Sequence, residues 1–268
     1  MYIKNAMKRK NIFITDLVDA INNRQIWLHL SWQDTKLKYR RSKIGQFWIT
    51  LSMIIFISSL GLVYSKLFKA NPSEYIPYLA ISYIIWNYIS GLLNESSNLL
   101  VNSTRYIGEI KINPIILILG LLTKHIIIFS HNILIVFLIY FFFKITPNSY
   151  ILYSFPTFVL LTLNLFNISV FLSILGLRYR DMSQIVQNLI QVLFFITPIT
   201  WFPKLLSSNK WIIDLNPMAH FIEIFRSPIL GNSPPSNSIF FCLFILILLF
   251  ISSSILYSWK VKRLVYWL

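Results

Sequence analysis

Long apolar runs separated by short polar breaks dominate this chain. Six stand out: Ile44–Leu67, Tyr75–Leu93, Lys124–Phe143, Tyr150–Leu177, Ile185–Trp201 and Ile239–Trp259. Each approaches the roughly 20 residues a helix needs to cross a hydrocarbon core. Backbone in lipid must satisfy its own hydrogen bonds, which predicts helices. Transmembrane strands would instead show alternating segments of about ten residues. The third run is preceded by an apolar stretch from Ile112. Ile112 to Phe143 exceeds one straight span, so its first part is expected to lie in the membrane interface. The pattern predicts an all-α integral membrane protein with six transmembrane helices.

Shorter patterns fill the breaks. Ile26, Leu30, Leu37, Ile44 and Trp48 fall within a narrow arc at 100° per residue, with Lys36, Arg40 and Lys43 largely off it and Arg41 on it. This predicts an amphipathic helix over Arg24–Arg41 lying on the membrane surface, Trp27 and Trp32 at headgroup depth. It is either a plain anchor or a platform that also touches a soluble partner. Asn94, Asn98 and Asn102 repeat every four residues beyond the second run, flanked by Glu95 and Glu109 and ended by Asn113-Pro114. That is a polar helical stripe a partner could grip, or a solvated loop. Gln184, Gln187, Asn188 and Gln191 share one face of the fifth run. Four amides on one stripe do not face lipid; they bond neighbouring helices or line a hydrated path.

Between Phe202 and Asn237 lies a long polar excursion. Asn216-Pro217 within it reads as a helix start, Asn as N-cap and Pro at the first position. Met218, Phe221, Ile222 and Phe225 follow at helical spacing, and Glu223 and Arg226 are placed for a same-face pair. A short re-entrant helix dipping back into the outer membrane face is expected here, or a surface helix with a weak ion pair.

Composition sharpens the membrane reading. Of 268 residues 56% are hydrophobic and only 12% charged, about half the charge of a soluble domain. The formal net charge is +15. In a soluble chain that would suggest nucleic acid. Here the basic residues flank apolar runs, so they set topology and attract anionic lipid headgroups, and no nucleic-acid partner is expected. With both termini inside, 18 Lys and Arg fall on the cytoplasmic side and 6 outside. The chain then reads as one domain over 1–268: a cytoplasmic N-terminus (1–43), a six-span bundle (44–259) and a cytoplasmic tail (260–268). Asp16 and Asp19 interrupt the basic N-terminal segment, which therefore lacks a signal peptide's apolar core and is expected to be retained.

Candidate chemistry is sparse. Cys242 is the single cysteine, and His125 and His131 are six residues apart, off a common helix face. No metal site is expected. There is no phosphate-binding G-x-x-x-x-G-K-[ST] loop. Nine carboxylates, one D-x-x-D pair at Asp16 and Asp19 and no carboxylate mid-membrane leave a membrane enzyme or an ion-driven carrier short of working groups. No catalytic residue is expected, and transport powered by another subunit survives this elimination best.

The run Asp34-x-Lys36-x-Lys38-Tyr39-Arg40-x-Ser42-x-x-Gly45-x-x-Trp48 resembles the N-terminal signature of ABC type-2 exporter permeases for polysaccharide, O-antigen and teichoic acid. Leu177-Arg178-Tyr179-Arg180-Asp181-Met182, Thr197-Pro198-Ile199, and Asn216-Pro217-Met218 through Glu223-x-x-Arg226 agree in order. Gln33, Gln46 and Met53 depart from the usual Arg, Pro and Pro of that pattern. The resemblance implies a homodimer in the bacterial inner membrane, joined to two copies of a nucleotide-binding ATPase subunit. That partner would hold ATP and Mg; this chain would bind no cofactor. It implies a lipid-linked polysaccharide as cargo in a channel between protomers; a drug or lipid permease, or a membrane enzyme acting on polyprenyl-linked sugars, are the alternatives. The residues expected to contact the ATPase are Arg24, Asp34, Arg40 and Arg41 at the N-terminal helix, Glu95 and Glu109 on the second segment, and Arg178, Arg180 and Asp181 in the short inner loop. The channel candidates are Tyr64, Trp86, Gln187, Asn188, Gln191, Phe194, Phe195 and Trp201, whose aromatic members could stack on sugar faces.

Overall fold

The computed structural model describes residues 12–38, 44–110 and 112–267, and every regular element among them is helical. Among the described residues two helices precede the apolar runs, α1 (Ile12–Asn22) and α2 (Arg24–Lys38). Then come α3 (Phe47–Leu67), α4 (Pro72–Asn102), the short α5 (Thr104–Gly108) and α6 (Pro114–Phe143). A 3-10 turn (Ser149–Tyr153) leads into α7 (Ser154–Arg178), followed by α8 (Met182–Ile196). The excursion contains a 3-10 segment (Pro203–Asn209), α9 (Trp211–Asp214) and α10 (Pro217–Ile229). The chain closes with α11 (Ser236–Lys260) and a 3-10 turn (Val261–Tyr266).

Among the described residues five helices are long and apolar enough to cross a membrane: α3, α4, α6, α7 with its leading turn, and α11 with its trailing turn. The predicted fifth span falls short. α8 has 15 residues, about 22 Å at the helical rise, against a core of about 30 Å. It ends where Pro198 pushes Thr197 to extended backbone (φ −83°, ψ 137°). The last five residues of the predicted span are therefore a turn. The third span is longer than predicted. Asn113 accepts a hydrogen bond from the Ile115 amide at 2.9 Å, Pro114 takes the first position, and α6 runs 30 residues without a break. The apolar stretch before Lys124 is thus the first part of α6, not a separate interfacial piece.

α4 is the axis of the bundle and packs on α3, α6, α7, α8 and α10. Its contact with α7 is the closest. Ser96 and Ser169 hydroxyls meet at 2.9 Å, Ser173 donates to the Ser96 carbonyl at 3.0 Å, and a Cβ built on Gly176 would stand 1.7 Å from the Ser97 carbonyl oxygen. Small side chains let two membrane helices approach this way. α7 and α11 are joined by amides instead: Asn164 donates to the Cys242 carbonyl and Ser253 to Asn167. Outward faces of α11 keep Phe240, Phe244, Ile247 and Ile251 exposed, as lipid-facing positions require.

α1 is an element the apolar pattern missed. Phe13, Asp16 and Ala20 form its buried face against α6 and α11. The Phe13 ring meets Phe250 and Tyr257, and the Tyr257 hydroxyl donates to Asp16 at 2.8 Å. The Asn113 side chain donates to the Asp16 carbonyl, and Trp27 to the Ala20 carbonyl. One acidic residue therefore fixes the N-terminal helix to the bundle. α2 lies on α6, but by a face other than the predicted arc: Ser31 and Thr35 are buried, whereas Ile26 and Leu37 are exposed. Gly120 makes the seat, since a Cβ there would touch the Trp27 backbone at 3.7 Å. Of the predicted arc on α2, Ile26 and Leu37 stay exposed, while Leu30 is half-buried against the cluster that contains Leu100 and Leu117.

Candidate functional site

Three features gather the polar and aromatic side chains that a lipid-facing bundle does not need. The first is a cavity of about 540 Å³ between α2, α4, α6 and the start of α8. The asparagine stripe belongs to it. α4 continues as helix through Asn102, so Asn94, Asn98 and Asn102 line one wall and the solvated-loop alternative falls. Asp34 lines the cavity from α2, Gln187 from α8 and Tyr106 from α5. Lys124 donates to Glu95 at 2.5 Å, and His125 stands 3.5 Å from the same oxygen. Gly91 makes room for that histidine, because a Cβ there would lie 2.9 Å from the ring. Loss of surrounding water raises the Asp34 pKa; the positive Lys124 partly opposes the rise, and the negative Glu95 adds to it.

The second feature is an amide and aromatic face along α8. Only Val186 and Ile190 of α8 are buried. Gln184, Gln187, Asn188 and Gln191 are all exposed, with one side-chain bond between Gln184 and Asn188. The face continues into rings: Phe56 stacks on Tyr83 at 4.4 Å, and Phe194 meets Tyr83, Trp86 and Phe195. Trp86 is itself buried, behind Phe194, while Phe195 is exposed. Trp201 donates to the Phe195 carbonyl, so it braces the end of α8. Tyr64 stacks on Phe68 near the end of α3.

The third feature is Arg226. The alternative of a weak surface pair falls, because Arg226 is a hub with a buried guanidinium. Its Nη1 donates to the Ser82 hydroxyl at 2.9 Å and the Pro198 carbonyl at 2.8 Å. Nη2 donates to Glu223, which also accepts from Ser227. The Tyr78 ring lies 4.1 Å from the guanidinium carbon. Tyr78 donates to the Pro198 and Trp201 carbonyls and Tyr75 to the Thr200 carbonyl. Asn216 caps α10 through the Met218 amide and donates to Thr197. All of α10's predicted apolar face except Met218 is buried, and the helix packs on α4, α7 and α11. Sequence spacing missed Tyr75, Tyr78 and Ser82, although i, i+3 and i+7 place them on one face of α4.

The remaining candidates are scattered over one end of the bundle. Arg24 opens α2, Glu109 follows α5, and Arg178, Arg180 and Asp181 form the exposed α7–α8 turn. The Arg178 guanidinium lies over Tyr179 and Trp267. Asp34 and Glu95 share the cavity; the others do not join it. Arg40 and Arg41 lie outside the described residues.

A family model described as "ABC-2 type transporter" matches residues 25–230. Two curated proteins named "O-antigen export system permease protein RfbA", both from Klebsiella pneumoniae, are similar over most of their length. One is 21% identical over 222 residues, covering 82% of each chain. The other is 21% identical over 231 residues, covering 84% of this chain and 86% of its own.

Proposed function

The chain belongs to the ABC-2 type transporter family, and from that membership we propose that it is the membrane-spanning subunit of an ATP-driven exporter of a lipid-linked polysaccharide. Members of this family are transporter membrane subunits, not enzymes. The proposed cargo is of O-antigen, capsule or teichoic acid type, moved out across the bacterial cytoplasmic membrane. Both termini stand on the cytoplasmic side, where basic residues concentrate. The working unit is a homodimer with two ATPase subunits, which carry ATP and Mg.

The observation that carries this reading is similarity across 82% of the chain to a permease named for O-antigen export. The α8 face supports it. Four exposed amides on a helix among membrane spans need a polar surrounding, which a path between two protomers supplies. Exposed Phe195 beside them offers a ring for a sugar face. In this mechanism ATP closes the partner subunits, which press on α2, α5 and the α7–α8 turn. The closed partner favours one arrangement of the bundle, and its differential affinity for the two arrangements drives the gate. α10 is the proposed re-entrant segment at the outer end, held by Arg226.

The test is reconstitution. The chain and its co-expressed ATPase subunit are placed in liposomes with lipid-linked polymer. ATP-dependent appearance of polymer across the bilayer is the expected result. Polymer movement by this chain alone, or none with the ATPase present and turning over, overturns the reading.

A further inference from the structure

The cavity between α2, α4, α6 and α8 carries unspent hydrogen-bonding capacity. Asn94, Asn98, Asn102, Gln187 and Asp34 line it, and none of their side chains has a hydrogen-bond partner among the described residues. The Asn94 Oδ1 atom is fully buried and unpaired. Asn113, Asn164, Asn167 and Asn216 each hold a neighbouring element; the Oδ1 atoms of Asn132 and Asn164 are also buried and unpaired, but of these three only Asn94 lines the cavity. A buried polar atom is costly to leave unpaired, so the Asn94 oxygen, with the more open Asn98, Asn102, Gln187 and Asp34 around the same cavity, fits a ligand that completes it.

The donor set says which ligand. Each amide offers two donors and an acceptor, and Asp34 adds acceptors. Vicinal hydroxyls need both. The Lys124 ammonium is committed to Glu95, so it does not stand free for a phosphate. The exposed Tyr106 ring supplies an apolar face beside the amides. About 540 Å³ lies within the range of about 300–1,000 Å³ typical of small-molecule sites. Gln187 belongs both to the cavity and to the exposed amide face of α8, so a ligand held here lies at the start of that face.

We propose that this cavity is a subsite for one or two neutral sugar units, which holds the cargo before it enters the path along α8. This rests on the reading of the chain as a polysaccharide exporter, which supplies the sugar. The subsite is made by the amides of α4, and α2 forms its cover.

The test uses the full chain in lipid nanodiscs and saturation-transfer NMR. The probes are glucose, galactose, mannose, rhamnose and N-acetylglucosamine, with glycerol phosphate as an anionic comparison. At least one neutral sugar is expected to saturate, and the double variant Asn94→Ala/Asn98→Ala to weaken it about tenfold, in line with two lost hydrogen bonds. Alanine keeps the helix. Lys210→Ala, at the other end of the molecule, leaves binding unchanged. No saturable sugar, binding that survives the double variant, or preference for glycerol phosphate overturns the proposal. So does an Asn98→Cys thiol that the ATPase subunit shields from maleimide while sugars do not, which makes the cavity a protein-docking groove. If liposomes export polymer but sugars ignore Asn98, this inference alone falls. If sugars bind through Asn98 but no polymer moves, the exporter reading falls and the subsite stands.

Discussion

Arg226 on α10 donates to the carbonyl of Pro198 at 2.8 Å, and Tyr78 on α4 donates to the same oxygen at 2.8 Å. Pro198 is where α8 ends, so one guanidinium and one phenol fix the turn that limits the shortest apolar helix. The guanidinium is buried with all its direct partners polar or aromatic. In such a setting the fork geometry of arginine matters more than its charge alone.

Arg226→Ala removes the counter-ion of Glu223 and one donor each from the Ser82 hydroxyl and the Pro198 carbonyl, which keeps its bond from Tyr78. Glu223 keeps 32% of its side chain exposed, so the cost is about 1–3 kcal/mol, that of leaving hydrogen-bond partners unsatisfied and below that of a fully buried ion pair. A clear drop in the thermal unfolding temperature of the purified protein is expected. Arg226→Lys should recover part of it, since one ammonium cannot serve Ser82, Pro198 and Glu223 in the same geometry. Equal stability of wild type and Arg226→Ala would remove the hub from the account.

Gly176 and Gly120 make a matched pair. A Cβ on Gly176 would lie 1.7 Å from the Ser97 carbonyl oxygen, which is backbone and cannot swing aside. On Gly120 it would meet the Trp27 backbone at an ordinary 3.7 Å. Gly176→Ala should therefore cost more than about 3 kcal/mol by forcing α4 and α7 apart. It should abolish accumulation of folded protein in the membrane. Gly120→Ala should accumulate normally on the same blot.

The sequence made the long helices legible and left the joints obscure. Apolar runs of α3, α7 and α11 carry their own signal, because lipid demands uninterrupted hydrophobic length. The Asn216-Pro217 start was equally plain, since capping is local chemistry. α8 was overextended because Pro198 sits inside an apolar run whose hydropathy hides the break. α1 was missed because Asp16 looks like a solvated charge; only Tyr257 and Asn113, distant in sequence, make it a buried anchor. The cavity was half visible. The stripe Asn94, Asn98, Asn102 declared a polar face, but nothing local indicated that Asp34 and Gln187 would face it.

Asp34 supplies a pH dependence. Its folded-state pKa lies above the ordinary carboxylate value. Between the two values the folded chain binds more protons than the unfolded one, so stability falls as pH rises through that window. The contribution is most favourable below the ordinary value, and its loss is complete above the raised one. Asp34→Asn should flatten this dependence. The check is unfolding temperature across acidic pH for both proteins; identical slopes would show that the carboxyl does not titrate there.

Glu95 and Lys124 should couple. Glu95→Gln alone leaves an ammonium against a neutral amide, and Lys124→Met alone leaves a carboxylate beside His125. Each single change should destabilise, and the double change should cost less than their sum. A double-mutant cycle on unfolding temperature reads the difference. Strict additivity would make the pair an incidental contact.

Asp181 offers the cleanest separation of transport from stability. It begins α8 in the exposed α7–α8 turn, and its side chain makes no capping bond; only its backbone carbonyl accepts, from the Gln184 and Ile185 amides. Removing the carboxylate therefore costs the fold little. If the turn receives the push of the ATPase subunit, Asp181→Ala should lose most polymer export while the dimer and its ATPase still co-purify. Glu95→Ala is expected to lose export as well, but with lowered stability, because its carboxylate anchors Lys124. The informative quantity is export per ATP hydrolysed at equal complex yield. A full ratio for Asp181→Ala would place the coupling contact elsewhere on that face. A ratio that falls while the unfolding temperature holds would locate it at the N-cap of α8, the element whose far end Arg226 already fixes.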